Sequence, residues 1–285
     1  MGEGRLVIVG TPIGNRGDLS PRARRAIEEA DVVYCEDTRS LRRLLPDVER
    51  LPPRISCHKD NEAVRVDRLL EDLAAGRTVA YVCEAGMPGI RDPGMRLVRA
   101  AKAAGFPVDV VPGPSAVTCA LAHAGAEGPF VFLGFAPRKG TARAAFLGDL
   151  AGRRETAVVF EAGNRLPKLL RDLAAVVPAP DLRRVVVARE LTKLHEEVVE
   201  GTLLELTEVF DGEVRGEVTL VVTPAEGPRS APEPAHTVAR AVLDALTDPD
   251  LRPRARAKRI AELAGLPADE VYRRLAATGD DPDAS

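Results

Sequence analysis

Short apolar runs bounded by Gly and Pro alternate with segments of helical periodicity through the first half of the chain. Runs at 6–9, 31–35, 55–57, 78–82 and 108–111 predict strands. Between the first two, Ala23, Ala26, Ile27 and Ala30 share one face of a helix opened by Ser20-Pro21, with Pro at its favoured first position. Further helices are predicted over 38–45, 62–75, 95–104 and 116–124; in the second of these Val66, Leu69, Leu70 and Leu73 fall at helical spacing. This β-α alternation predicts a parallel sheet covered by helices on both faces.

The pattern changes near residue 129. Phe130-Val131-Phe132-Leu133-Gly134-Phe135 reads as a boundary strand, followed by a basic segment. Strands at 156–160, 184–188, 197–200 and 218–223 then surround one helix at 166–176, an order that predicts a mixed sheet. A stretch of Pro, Gly, Ser and Ala reads as a linker. The tail beyond it predicts helices at 238–246, 254–264 and 268–276, the last two broken by Gly265-Leu266-Pro267. The expected organisation is an α/β domain over 1–128, a second α/β domain over 129–224, a linker over 225–235 and a small helical region over 236–285.

Three turns follow directly on predicted strands: Gly10-Thr11-Pro12-Ile13-Gly14-Asn15, then Cys83-Glu84-Ala85-Gly86-Met87-Pro88-Gly89-Ile90, then Pro112-Gly113-Pro114-Ser115-Ala116. In open α/β sheets ligands sit outside the carboxyl ends of the strands. Gly permits close backbone approach and Pro holds a turn in one shape. One such turn is an ordinary connection; three on one predicted edge point to a small-molecule cradle. The chain has neither GxxxxGK[ST] nor GxGxxG after a strand, which disfavours a P-loop ATPase and a dinucleotide-type site.

Composition narrows the partners. The 285 residues carry a net charge of −3, so no global basic field draws nucleic acid; any such partner needs a local patch. Aromatics make up 4% with no Trp, which argues against a stacking platform for single-stranded nucleic acid. Cys35, Cys57, Cys83 and Cys119 form no CxxC pair, which argues against a zinc site or a disulfide framework. With no apolar leader and no run near the length of a membrane span, the expectation is a cytoplasmic protein without a membrane partner.

Polar clusters occupy the same predicted edge. Glu36-Asp37-Thr38-Arg39 follows the second strand and His58-Lys59-Asp60-Asn61-Glu62 the third, although each also suits a helix start. Arg189-Glu190-Leu191-Thr192-Lys193-Leu194-His195-Glu196-Glu197 follows a Val-rich strand and reads as a substrate wall or, more plainly, a solvated turn. Basic residues are local: Arg39, Arg42 and Arg43; Arg138, Lys139, Arg143, Arg153 and Arg154; and Arg252, Arg254, Arg256, Lys258 and Arg259. Together they offer phosphate-binding surface on an otherwise acidic protein.

These strings, in this order, resemble the ribosomal RNA small-subunit methyltransferase I family, within the tetrapyrrole-methylase-like fold. The resemblance runs from about residue 6 to 222 and also takes in Gly134-Phe135, Pro137-Arg138-Lys139-Gly140 and Gly216-Glu217. It implies two α/β domains, S-adenosylmethionine as the methyl donor, and a homodimer. The implied substrate is the ribose 2′-hydroxyl of a cytidine in the decoding centre of 16S rRNA in the small ribosomal subunit. The chain departs from the family's Ser-Asp-Ala-Gly-Thr-Pro string at Cys83, Glu84 and Met87, and has Asn164 and Asp60 where His is usual.

By that resemblance, Pro12, Glu84, Gly86, Met87, Ser115 and Ala116 are expected to contact the cofactor, with Phe160, Ala188 and Thr219 on the second-domain side. Arg39, Arg42, Arg138, Lys139, Arg143 and Arg189 are expected on the RNA. No metal is needed. A ribose hydroxyl is a weak acid, so the transfer calls for a base or a cation beside the developing alkoxide. Lys193, Glu190, Asp37 and Glu161 are the candidates in that order, Lys193 acting as base if burial lowers its pKa or otherwise as the cation. Two other readings compete: a methyltransferase of the same fold acting on a tetrapyrrole or a modified histidine, and a non-catalytic RNA-binding assembly factor.

Overall fold

The structure, a computed structural model, describes residues 4–90, 92–224, 242, 245–246, 251–264 and 266–277. Its contacts divide the chain into two units, Met1–Ala225 and Glu226–Ser285.

The first unit holds two five-stranded sheets. Strands β1 (Arg5–Val9), β2 (Val32–Cys35), β3 (Arg54–Ser56), β4 (Thr78–Val82) and β5 (Val108–Val111) form one sheet in the order β3-β2-β4-β1-β5. Every neighbouring pair in it is parallel, so the loops that leave these strands share one edge. Helices α1 (Pro21–Glu28) and α2 (Thr38–Leu44) bury Ala23, Ile27 and Leu41 against one face, beside Val7, Val9, Val33 and Val82. Helices α3 (Glu62–Ala74) and α4 (Met95–Ala103) bury Leu69, Leu73, Leu97 and Ala101 against the other. Apolar side chains on both faces explain the continuous runs of these strands. Helix α5 (Ala116–His123) follows β5.

The second sheet is mixed. Strands β6 (Phe130–Phe135), β7 (Thr156–Ala162), β8 (Arg184–Arg189), β9 (Glu197–Thr202) and β10 (Glu217–Val222) lie in the order β6-β7-β10-β8-β9. Only β6 and β7 run parallel; the other pairs are antiparallel. Helices α6 (Gly140–Gly152), α7 (Leu166–Ala174) and α8 (Leu203–Val209) cover one face through Leu147, Leu150, Leu166, Leu169, Leu170, Leu203 and Leu206. The opposite face, with Val158, Val186, Ala188 and Val221, packs on Val117 and Ala120 of α5. That helix therefore joins the two sheets through a shared core.

Two helices were not expected. Helix α6 occupies the segment that reads as merely basic, because Ala and Gly blur its apolar stripe. Helix α8 is short, and is set by a capping box in which Thr202 and Glu205 satisfy each other's backbone N–H groups. In the second unit, helices Pro253–Ala264 and Ala268–Ala277 bury Ala257, Ile260, Ala261 and Val271 together. Arg252, Arg254, Lys258 and Arg259 are exposed on this unit. The linker expected over 225–235 lies outside the described residues, as does the helix expected over 238–246 except at residues 242, 245 and 246, which are helical.

One buried polar contact anchors β2. The Tyr34 hydroxyl donates to Asp72 of α3 at 2.8 Å, and Asp72 also accepts from Arg77 at 2.7 Å. Tyr34→Phe is expected to lower stability by about 1.5–3 kcal/mol, the worth of a hydrogen bond to a charged group. A denaturant midpoint unchanged from wild type would contradict that role.

Candidate active site

The strand-end loops of the parallel sheet face the mixed sheet across a cleft of about 420 Å³, within the range of small-molecule sites. The loops first hold one another. Thr11 and Gly86 exchange backbone hydrogen bonds of 2.9 and 3.1 Å. A Cβ on Gly10 would fall 2.5 Å from the Gly113 backbone nitrogen, and Met87 Sδ accepts the Gly113 N–H at 3.2 Å. Gly10 and Gly113 thus serve close contact between the loops. The cleft face of this half is Ile13, Glu36, Glu84, Ala85, Gly86, Met87, Ile90, Asp92, Ser115 and Ala116.

The facing wall is one cross-strand row. Phe135 lies opposite Phe160, Phe160 opposite Thr219, and Thr219 opposite Ala188, across β6, β7, β10 and β8. All four border the cleft. Three of them are expected cofactor contacts; Phe135 is the addition.

Beside this row stands Lys193. Its Nζ donates to Glu190 Oε1 and Glu217 Oε2, each at 2.8 Å. Partial burial pulls the ammonium's pKa down, but the two carboxylates outweigh it and hold Lys193 above its ordinary value. The same bond to Lys193 pushes the Glu190 carboxyl down, against a smaller effect of burial. This arrangement favours the ammonium form, which suits the cation of the two roles expected for Lys193. Glu190 and Thr192 have φ of +51° and +67°, unusual for residues with side chains. The turn keeps this shape because Glu190 Oε1 accepts the Glu217 N–H at 2.9 Å, Asn15 N–H donates to Thr192 Oγ1 at 3.1 Å, and Glu196 accepts the Thr192 N–H. Two glycines leave it room. A Cβ on Gly14 would sit 2.5 Å from Lys193 Cγ, and one on Gly216 would sit 2.6 Å from Glu190 Cδ.

Other expected residues fall elsewhere. Asp37 does not border the cleft: it caps α2 by accepting the Arg39 N–H at 2.8 Å and pairs with the Arg39 side chain, which holds its carboxyl below the ordinary range. Its neighbour Glu36 faces the cleft instead, accepts the Glu84 N–H at 3.2 Å, and is raised by burial. Pro12 is buried within its loop and is not part of the cleft surface. Glu161 borders the cleft, but its side chain is fully enclosed. Oε1 pairs with Arg165 at 3.1 Å and accepts the Ala162 N–H at 2.9 Å, while burial raises the carboxyl. Asp92, missed from sequence, borders the cleft; burial and then the charge of Glu36 push it up to about 6.

The expected RNA contacts also separate. Arg138 and Lys139 are exposed. Arg39 is exposed but paired with Asp37. Arg42 donates to the Val48 carbonyl. Arg189 is tied to Glu197 at 2.8 Å. Arg143 is the correction: only 7% exposed, it donates to Asp172 at 2.7 Å and to the Pro137 carbonyl at 2.9 Å, holding α6 to α7.

Comparison with known proteins agrees with this geometry. The family profile described as Tetrapyrrole (Corrin/Porphyrin) Methylases matches residues 5–207. A solved uroporphyrin-III C-methyltransferase from Thermus thermophilus, complexed with S-adenosyl homocysteine, shares the fold with a TM-score of 0.55 over 77% of this chain and 97% of its own, at 24% identity. The class is thus the two-domain methylase of tetrapyrrole type. Ribosomal RNA small subunit methyltransferase I of Mycobacterium tuberculosis is 47% identical over 79% of each chain. That of Xylella fastidiosa is 41% identical over 94% of this chain and 98% of its own. The chain belongs to the ribosomal RNA small subunit methyltransferase I family.

The raised Asp92 gives a pH test. The folded protein holds a proton on Asp92 that the unfolded chain has released, so between the ordinary carboxyl value near 4 and about 6 its contribution to stability falls as pH rises. Asp92→Asn removes that loss. Relative to wild type, the melting temperature of the variant should rise on going from pH 4 to pH 7; a pH-independent difference would contradict the assignment.

Proposed function

We propose that this protein methylates the 2′-hydroxyl of a cytidine ribose in 16S rRNA of the small ribosomal subunit, with S-adenosylmethionine as donor. The names of its relatives support the ribosomal substrate class, and the fixed Lys193 ammonium on the cleft wall is the observation that carries the reading.

The cleft's residues fit the donor. Apolar Ile13, Met87, Phe160 and Ala188 suit an adenosine, while Glu36, Glu84, Asp92 and Glu217 supply negative charge that suits a sulfonium and an ammonium. When bound, S-adenosylmethionine supplies an activated methyl group. The protein's part is positioning and charge. The Lys193 ammonium stabilises negative charge on the ribose oxygen, whose proton passes to solvent water. Glu190 and Glu217 aim it, and the turn from Glu190 to Thr192 fixes its stem. Arg138 and Lys139, exposed beyond β6, meet phosphates. Arg39, Arg42 and Arg189 keep their place as RNA contacts only where the substrate displaces their present partners.

The 1–128 and 129–224 halves act as the two jaws of the cleft. The working form is a homodimer in the cytoplasm, where its substrate resides. Exposed Val110 on the outer strand β5 supports a subunit contact. No helix among the described residues is long and apolar enough to cross a membrane.

The test is transfer from labelled S-adenosylmethionine to purified 30S subunits, naked 16S rRNA and a tetrapyrrole, with the product nucleoside identified by mass. 2′-O-methylcytidine is expected. Label in the tetrapyrrole alone would move the function to the same-fold alternative, and no transfer at all would favour the assembly factor. Lys193→Ala should lower kcat by at least about 100-fold while leaving S-adenosylmethionine affinity within about twofold. A full-rate variant would remove Lys193 from the chemistry.

A further inference from the structure

In a regular strand, Phe132 and Phe135, three residues apart, would point to opposite faces. In β6 they do not. The pairing with β7 shifts register between Phe132 and Gly134, and Gly134 sits at φ +73°. A bulge of this kind re-aims the residues beyond it. Phe132 pairs with Val158 and Phe135 with Phe160, which share a face of β7, so both rings reach the cleft side. Their centroids lie 4.7 and 5.5 Å from that of Phe160, edge to face. Phe135 ends the row and is 52% exposed, whereas Thr219 and Ala188 further along it are buried.

Charge is divided around this ring. The cleft holds Glu36, Glu84, Asp92 and Glu217, which repel phosphate. Arg138 and Lys139 lie three and four residues after Phe135 and are exposed. This arrangement admits a neutral nucleoside and keeps its flanking phosphates outside. A ribose that reaches Lys193 must bring its base out of the RNA stack, and an unstacked base needs a new π face. The low aromatic content argues against a platform for a run of bases, but one flipped base needs one ring.

We propose that Phe135 is the face on which the target nucleotide's flipped base stacks, with Arg138 and Lys139 on the phosphates beside it. This rests on the RNA-methylating reading above and adds a base subsite to it. Base stacking on one ring accounts for roughly a tenfold change in affinity. Phe135→Ala should therefore raise KM for the RNA substrate about tenfold, with S-adenosylmethionine affinity by calorimetry and subunit number unchanged and the melting temperature lowered only by the few degrees that the lost contact with Phe160 accounts for. Phe135→Trp should restore KM, whereas Phe135→Leu, apolar but without a π face, should not. Arg138→Glu with Lys139→Glu should weaken RNA binding and flatten its dependence on salt.

Four results would overturn the proposal. An indifferent Phe135→Ala would do so, as would a Leu variant equal to wild type. Lost S-adenosylmethionine affinity would mean the ring covers the donor, and an altered subunit number would mean it covers a second copy. Failure of the wild-type protein to methylate any RNA would instead remove the reading beneath it, and is seen before any variant is made.

Discussion

The bonding of Lys193 to Glu190 and Glu217 is the constraint from which the rest of the site follows. It spans the ends of β8 and β10, so it cannot form until both strands are paired. Burial alone would lower the pKa of the ammonium; two carboxylates at 2.8 Å outweigh it and hold the positive charge in place. The turn that presents this charge carries two left-handed residues with side chains, a cost of about 1–3 kcal/mol each. Hydrogen bonds donated by the Asn15 and Glu217 N–H groups and one accepted by Glu196 offset it. Because Gly14 and Asn15 belong to the loop after β1, the first half of the molecule helps to hold a charge that the second half supplies.

Around that cation the cleft is acidic. Glu36, Glu84, Asp92 and Glu217 stand on or beside its walls. Among the described residues no group of His, Cys, Asp or Glu is disposed to hold a metal ion. Carboxylates on the walls suit a cationic ligand, and a sulfonium donor is one. Burial raises both Glu36 and Asp92, the charge of Glu84 adds to the first and that of Glu36 to the second, and a bound positive charge would lower them again. The exposed cations lie outside the cleft, at Arg138 and Lys139, where a polyanion can meet them without entering.

Much of this architecture is legible in the residues because burial leaves periodic marks. The parallel sheet shows as apolar runs, and its order of strands and helices as the alternation of such runs with segments of period 3.6. Phe160, Ala188 and Thr219 form one row because antiparallel pairing brings strand ends into register. What escaped depends on side-chain contacts or local irregularity. Glu36, not Asp37, faces the cleft, a difference of one position at a strand end that no period resolves. Arg143 reads as a surface cation until Asp172 and the Pro137 carbonyl enclose it. In an unbroken strand Phe135 would face away from Phe132, and in the sequence nothing but Gly134 hints at the bulge. The protonation of Lys193 was open to either answer, because its second carboxylate lies 24 residues away in sequence.

The most direct measurement is the titration of Lys193 itself, by the 13Cε shift of labelled lysine in the folded protein, assigned with Lys193→Arg. A midpoint above the ordinary lysine value of about 10.4, moving down in Glu217→Gln, is the predicted result. A midpoint near neutrality would contradict the fixed cation and make Lys193 a base.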